Sequence, residues 1–247
     1  MNPDLSGFLT PIRIQGADAA GFLHGQFTTD VTGLVSGRAD LSAWCDAKGR
    51  AIATFILARQ DEAFLLLAPD DMKEIFVKRL KMFVLRADVT IADAEEEDIP
   101  QFPHLPGTDG DLSEAALIRQ GMPLLHPETS GRFLPQELNL DKLDAVSFTK
   151  GCYPGQEIIA RLRYRGAVKR RLCHAITDNP TRLQPGAGLL PDGKDRHIGT
   201  VINSGITDEG QELLVVLEQP FIGSGQVVAE DFPALSIKLI KETTGNG

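Results

Sequence analysis

Residues 39–67 read ADLSAWCDAKGRAIATFILARQDEAFLLL, and their reading decides the fold. Apolar runs are broken twice, at Asp46-Ala47-Lys48-Gly49 and at Arg59-Gln60-Asp61-Glu62. Short apolar runs separated by polar, turn-forming breaks are the pattern of antiparallel strands joined by tight turns. The segment therefore predicts a three-stranded antiparallel meander. On its N-terminal side, Phe8 to Ile14 predicts an extended segment. Gly16-Ala17-Asp18 then starts a helix with Ala19, Phe22 and Leu23 on one face, and Thr28-Thr29-Asp30-Val31 ends it or caps the next turn. On its C-terminal side, Pro69-Asp70-Asp71 opens a second helix, with Met72, Ile75, Phe76 and Leu80 at helical spacing. Val84 to Ile91 predicts a further strand. Helices interleaved with antiparallel strands define an α+β layer structure rather than a parallel sheet.

The next stretch changes character. The acidic run Asp93-Ala94-Glu95-Glu96-Glu97-Asp98, followed by Pro100, Pro103 and Pro106, predicts a solvated loop. Ala115 to Ile118 predicts a strand, and Leu138-Asn139-Leu140-Asp141 with Leu143 a short helical turn. After Gly166 the pattern is nearly all strand, at 171–176, 197–204, 213–217, 226–229 and 235–240, with turns at Asp192-Gly193 and Asp208-Glu209-Gly210. Short strands at this spacing predict a small barrel or sandwich of about 75 residues.

Composition narrows the function. The chain has 247 residues, 42% of them apolar and 24% charged. These values fit a globular protein and exclude a disordered chain or a collagen. At roughly 150 residues per domain, the length allows one or two domains. No apolar run approaches the roughly 18 residues that cross a bilayer, so no membrane partner is expected. Met1-Asn2-Pro3-Asp4-Leu5 has neither a secretory nor a mitochondrial pattern. With a net charge of −9 the chain as a whole repels nucleic acid, and no direct DNA contact is expected. The three cysteines, Cys45, Cys152 and Cys173, form no CxxC pair and no metal-ligand spacing, which predicts free thiols in a reducing cytoplasm and no resident metal.

The chemistry concentrates in Phe148-Thr149-Lys150-Gly151-Cys152-Tyr153-Pro154-Gly155-Gln156-Glu157-Ile158-Ile159-Ala160-Arg161. Cys152-Tyr153-Pro154 sits where a helix can start, because proline suits a first helical turn. A thiol at that end of a helix lies beside free N–H groups and is favoured as thiolate, although Cys152 can equally be a small packing residue. Glu157 and Arg161 stand four apart and can pair on one helical face. Arg161-Leu162-Arg163-Tyr164-Arg165 follows. Read as a strand, it places three arginines on one side. With Lys169, Arg170 and Arg171 it forms the densest basic cluster, able to hold a carboxylate or phosphate, or simply a solvated face.

Lys150-Gly151-Cys152-Tyr153-Pro154-Gly155-Gln156-Glu157 resembles the K-G-C-Y-x-G-Q-E signature of the YgfZ family of folate-binding, iron–sulfur maturation proteins, and matches every fixed position. Similar likenesses run through Leu134-Pro135-Gln136-Glu137-Leu138-Asn139-Leu140, Gly16-Ala17-Asp18-Ala19, Phe22-Leu23-His24-Gly25-Gln26, and Arg161, Arg165, Gly166 and Lys169-Arg170. Ile198-Gly199-Thr200-Val201-Ile202-Asn203-Ser204-Gly205 resembles the barrel domain shared with the glycine-cleavage T-protein. The resemblance implies a T-protein-like folate-binding fold, with two α+β lobes in residues 1–165 and a C-terminal antiparallel β-barrel in 166–247. It implies tetrahydrofolate as ligand, a role in assembly or repair of iron–sulfur proteins including tRNA-modifying enzymes, and partners among iron–sulfur client or assembly proteins. Cys152 is then the central functional residue, in transient contact with an iron–sulfur cluster. Lys150, Tyr153, Gln156, Glu157, Arg161 and Arg165 are the candidate cofactor-binding residues.

Two departures separate the chain from an aminomethyltransferase. The segment Lys48-Gly49-Arg50-Ala51-Ile52-Ala53-Thr54 carries no carboxylate where the T-protein uses one, and Cys152 stands where the T-protein has an aspartate. The chain is also short for the YgfZ family, which predicts a trimmed loop or lobe. The alternative remains a folate-dependent one-carbon (aminomethyl) transferase, with Asp46, Glu157 or His24 as acid or base. An RNA-binding module built on the basic run is disfavoured by net acidity and by Tyr164 being its one aromatic residue.

Overall fold

The computed structural model describes residues 8–94, 105, 111–178, 181–191, 195–222, 226–230 and 232–242. The acidic run from residue 95 onward, its prolines, and the turn at Asp192-Gly193 lie outside the described residues. The predicted meander is present as β2 (Ala39–Cys45), β3 (Ala51–Gln60) and β4 (Ala63–Pro69). Joined by β1 (Leu9–Gln15) and β5 (Thr90–Asp93), they form one antiparallel sheet in the order β2-β3-β4-β1-β5. Alternation along each strand sends side chains to opposite faces. Phe55, Leu57, Phe64 and Leu66 enter one core, while Ile56, Ala58, Leu65 and Leu67 enter another. Both faces are therefore covered, which is why β3 and β4 read as continuous apolar runs rather than clean alternations.

The first core is closed by α1 (Ala19–Gln26) and by α2 (Lys73–Lys81), which follows a short 3-10 turn at Asp70–Met72. Phe76 of α2 meets Phe55 edge-on at 5.3 Å and Trp44 at 5.6 Å between ring centroids, and Phe27 joins Phe55 at 4.6 Å. The strand predicted over Val84–Ile91 shrinks to β5. Residues 82–84 instead continue α2 as tight turns, their N–H groups donating to the carbonyls of Arg79, Leu80 and Lys81. Leu85 is left 90% exposed. An apolar run this short does not by itself separate strand from turn.

The second core joins the sheet to the rest of the chain. Residues 111–155 are mostly turns, pinned by side chains rather than by a ladder. Thr54 Oγ1 accepts from the Leu125 N–H at 2.8 Å, and Asn203 takes both backbone groups of Leu124. The predicted strand at Ala115–Ile118 is helix α3 (Glu114–Arg119); Ser113 caps it, its Oγ accepting from the Ala116 N–H. The expected turn near Leu138 is present, with Asn139 at φ 56°.

The C-terminal part is a closed antiparallel barrel of six strands, where five were expected. They are β6 (Arg170–Thr177), β7 (Gly188–Pro191), β8 (Gly199–Thr207), β9 (Gly210–Glu218), β10 (Gln226–Ala229) and β11 (Phe232–Glu242), in the order β10-β11-β6-β9-β8-β7. The unexpected strand, β7, is four residues long and closes the ring by pairing with both β8 and β10. Closure removes the free sheet edges that an open sandwich would leave. Cys173, Val201, Val215 and Val227 fill the interior. The alternating partners Leu172, Ile202, Leu214 and Val216 face outward and share the second core with Leu138, Leu140 and Ile118.

Candidate functional site

The stretch from Ser147 to Gly155 is a loop clamped at several points. The Thr28 hydroxyl donates to the Ala145 carbonyl at 2.6 Å, and the Ser147 N–H donates to the Thr28 carbonyl at 2.8 Å. Lys150 supplies the strongest clamp. Its ammonium donates to the carbonyls of His24, Phe27 at 2.6 Å and Thr29 at 2.9 Å. An ammonium has three donors, so all are used. They fall where α1 ends, and a cation is favoured at a helix C-terminus. Burial lowers the Lys150 pKa to about 8, with the Asp30 carboxylate opposing that shift.

Tyr153 is buried below the loop, its ring centroid 5.1 Å from the Lys150 ammonium. Its hydroxyl has no hydrogen-bond partner among the described residues, and burial pushes its pKa up, with a smaller push from Cys45. Cys45 is itself buried and its thiol is pushed up, first by burial and then by Asp46. Cys152 by contrast is exposed. The thiol that the motif presents to solvent is therefore the one in the signature.

Helix α4 (Gln156–Arg165) begins after Gly155, three residues beyond Cys152, rather than at Cys152-Tyr153-Pro154. Gly155 adopts φ +78° and touches the β2–β3 turn so closely that a Cβ would lie 2.4 Å from Gly49 Cα and 2.5 Å from the Asp46 carbonyl oxygen. Only glycine fits there, on both conformation and space. The opposing turn is rigid because the Asp46 carboxylate accepts from the Lys48 and Arg50 N–H groups, each at 2.9 Å. Asp46 is thus occupied in shaping its turn. Just inside the helix, the Gln136 side chain donates to the Ile159 carbonyl at 2.6 Å.

The helix also overturns the reading of 161–165 as a strand. Arg161 and Arg165 share one face at i, i+4 spacing, while Arg163 turns away from them. Glu157, Arg161 and Arg165 are exposed, and Gln156 is half-buried. No ion pair joins Glu157 to Arg161 among the described residues. The candidate residues thus divide. Cys152, Glu157, Arg161 and Arg165 face solvent, while Lys150 and Tyr153 turn inward to hold the loop.

Arg163 reaches a cavity of about 460 Å³. Its guanidinium lies 3.9 Å from the Phe148 ring centroid. Thr29, Asp30, Arg38, Asp40, Asp144, Val146 and Ser147 also line the cavity. Arg38 pairs with Asp40 at 3.0 Å. The Thr32 hydroxyl and the Gly33 N–H hold the Asp30 carboxyl below its ordinary value. His24 stands beside it, Nδ1 3.2 Å from Asp30 Oδ1, with Nε2 facing Gly151. Arg38, Asp40 and Asp144 carried no signal in the sequence, since no motif or periodicity singles them out.

A sheet flanked by helices and followed by a closed barrel is the architecture of the glycine-cleavage T-protein. The aminomethyltransferase T of the glycine cleavage system from Bartonella henselae matches 95% of this chain and 83% of its own, with a TM-score of 0.64 and 12% identity. That likeness defines the fold class. No protein-family model matches the chain. Among curated proteins, an uncharacterized protein of Haemophilus influenzae is 37% identical over 191 residues, covering 65% of this chain and 68% of its own. The tRNA-modifying protein YgfZ of Escherichia coli O157:H7 is 30% identical over 266 residues, covering 83% of this chain and 81% of its own. The chain belongs to the YgfZ family.

Proposed function

We propose that this protein is a folate-binding accessory factor in the assembly or repair of iron–sulfur proteins, tRNA-modifying enzymes among them, acting in the cytoplasm through the Cys152 thiol. The observation that carries this reading is the build of the motif loop. Lys150, Tyr153 and Gly155 are spent on anchoring it, and Cys152 is left facing outward as the motif's one thiol. A thiolate is a natural ligand of cluster iron, which belongs here to the client protein and not to this chain. We further propose that residues 1–165 act as the folate-binding unit, with the barrel from 166 as its buttress.

The cavity beside the loop fits folate chemistry. A folate joins a flat pterin rich in N–H donors to a glutamate tail bearing carboxylates. The lining offers the carboxylates of Asp30, Asp40 and Asp144 to the first, and the guanidinium groups of Arg38 and Arg163 to the second. Phe148 supplies an aromatic wall, and the volume falls within the range of about 300–1,000 Å³ common to small-molecule sites. In this reading Arg163 replaces Arg161 and Arg165 as the arginine of α4 that meets folate.

The test is titration with tetrahydrofolate of the natural chain, Cys152→Ala and Arg163→Ala. Micromolar binding is expected in the first two, with a loss of about tenfold or more in Arg163→Ala. Absence of binding in all three overturns the folate reading. In a strain lacking the protein, Cys152→Ala is expected to leave tRNA modification low. Full restoration overturns the thiol role.

A further inference from the structure

We infer that the outer face of α4 is a docking surface for an acidic protein, which it brings up to Cys152. This inference rests on the thiol reading above and names the partner's chemistry. The helix carries Arg161, Arg163 and Arg165 against a single acid, Glu157, and the exposed Lys169 and Arg170 follow it. Arg163 is taken by Phe148 and the cavity. Arg161, Arg165, Lys169 and Arg170 make no ion pair among the described residues, in a chain with 34 acidic and 25 basic residues. A chain so rich in carboxylates that leaves this cluster uncompensated has kept a positive surface for an outside anion.

The face is not purely charged. Tyr164 is 72% exposed and Ile158 43% exposed. Tyrosine and arginine are the side chains enriched at the energetic centres of protein interfaces. Ile158 packs over Gly49 at the β2–β3 turn, so the apolar part of the face adjoins the Gly155 anchor and leads back to Cys152. The anchor works through backbone contact, and Arg161 and Arg165 on the outer face make no ion pair among the described residues. Ile158 and Tyr164 among the charges favour a folded protein over RNA. Single-stranded RNA is held by rows of aromatic rings, and Tyr164 is the one exposed ring here.

The test uses the full chain with Arg161→Glu/Arg165→Glu, Tyr164→Ala, Cys152→Ala, and Lys78→Glu/Lys81→Glu on α2 as a control of equal charge change. The binding probes are a purified, cluster-loaded tRNA-modifying iron–sulfur enzyme and, separately, a tRNA transcript. The double arginine variant is expected to bind the enzyme at least tenfold more weakly, and Tyr164→Ala several-fold more weakly. Cys152→Ala and the α2 control are expected to bind as the natural chain does. Unchanged tetrahydrofolate binding and unchanged alkylation of Cys152 by iodoacetamide in the arginine variant establish that pocket and loop are intact. Equal loss in the α2 control, or undiminished enzyme binding by the arginine variant, overturns the docking surface. Salt-dependent tRNA binding lost in the same variant overturns a protein as its occupant. The thiol reading fails separately, when Cys152→Ala supports full tRNA modification while docking still depends on the arginines.

Discussion

Helices α2 and α4 are alike on paper and opposite in structure. One has nine residues and the other ten, both are rich in lysine or arginine, and both carry a charged outer face. Helix α2 is held by its side chains: Phe76 and Leu80 are fully buried, and Phe76 sits among Trp44, Phe27 and Phe55. Helix α4 buries Ile159 completely and little else. Its position is fixed by backbone, through Gly155 against Gly49 and through Gln136 on the Ile159 carbonyl. A helix held by its side chains commits its sequence to the core. One held by backbone contact keeps its sequence for other uses, and α4 is the one joined to the exposed thiol.

Substitution separates the two modes of attachment. Phe76→Ala is expected to cost about 3–5 kcal/mol in urea unfolding, the ordinary penalty for emptying a buried aromatic site. Cys152 alkylation in the folded state should be unchanged. Gly155→Ala is expected to cost about 3 kcal/mol, from the left-handed backbone together with overpacking against Gly49. It should also change the Cys152 alkylation rate, because the loop that presents the thiol must shift. Equal behaviour of the two variants in the alkylation assay would dissolve the distinction.

The same contrast explains what the sequence discloses. Helix α2 was legible because Met72, Phe76 and Leu80 repeat at helical spacing, and the meander because its turns carry Asp46 with Gly49 and Asp61 with Glu62. Helix α4 was half legible. Its alternating arginines imitate a strand, and only one buried position, Ile159, marks the helical face. The signature identified the loop, yet residue type alone could not say that Lys150 points inward to three carbonyls while Arg163 points to a cavity. Asp30, Arg38 and Asp144 converge from separate segments, and no local pattern encodes such a meeting. Helix α3 and strand β7 were missed because each is too short to establish a period.

The cysteines give a smaller effect that sharpens the comparison. In the native protein iodoacetamide is expected to label Cys152 at least about 100-fold faster than Cys45 or Cys173, which react only when the structure opens. Mass spectrometry should find one label under native conditions and three in urea. Rapid labelling of Cys45 would mean that the Gly155 contact, which covers the β2–β3 turn next to it, is often broken.

The smallest effect tests the Lys150 clamp. Its folded pKa is about 8, lowered from 10.5 mainly by burial. Below about pH 8 both folded and unfolded chains carry the proton, and the cost of burying the charge is fully present. Between about 8 and 10.5 the unfolded chain still holds a proton that the folded chain has released, so stability rises with pH. Cys45 acts in the opposite sense. Its thiol ionises from about pH 9 when unfolded but stays protonated when buried, so its contribution to stability falls above that point. The Lys150 slope is therefore read between pH 8 and 9, as the urea midpoint of the natural chain relative to Lys150→Met. The natural chain is expected to gain on the variant across that interval. A flat difference would mean that the three carbonyls hold the ammonium charged throughout, and that the loop presenting Cys152 is insensitive to pH in this range.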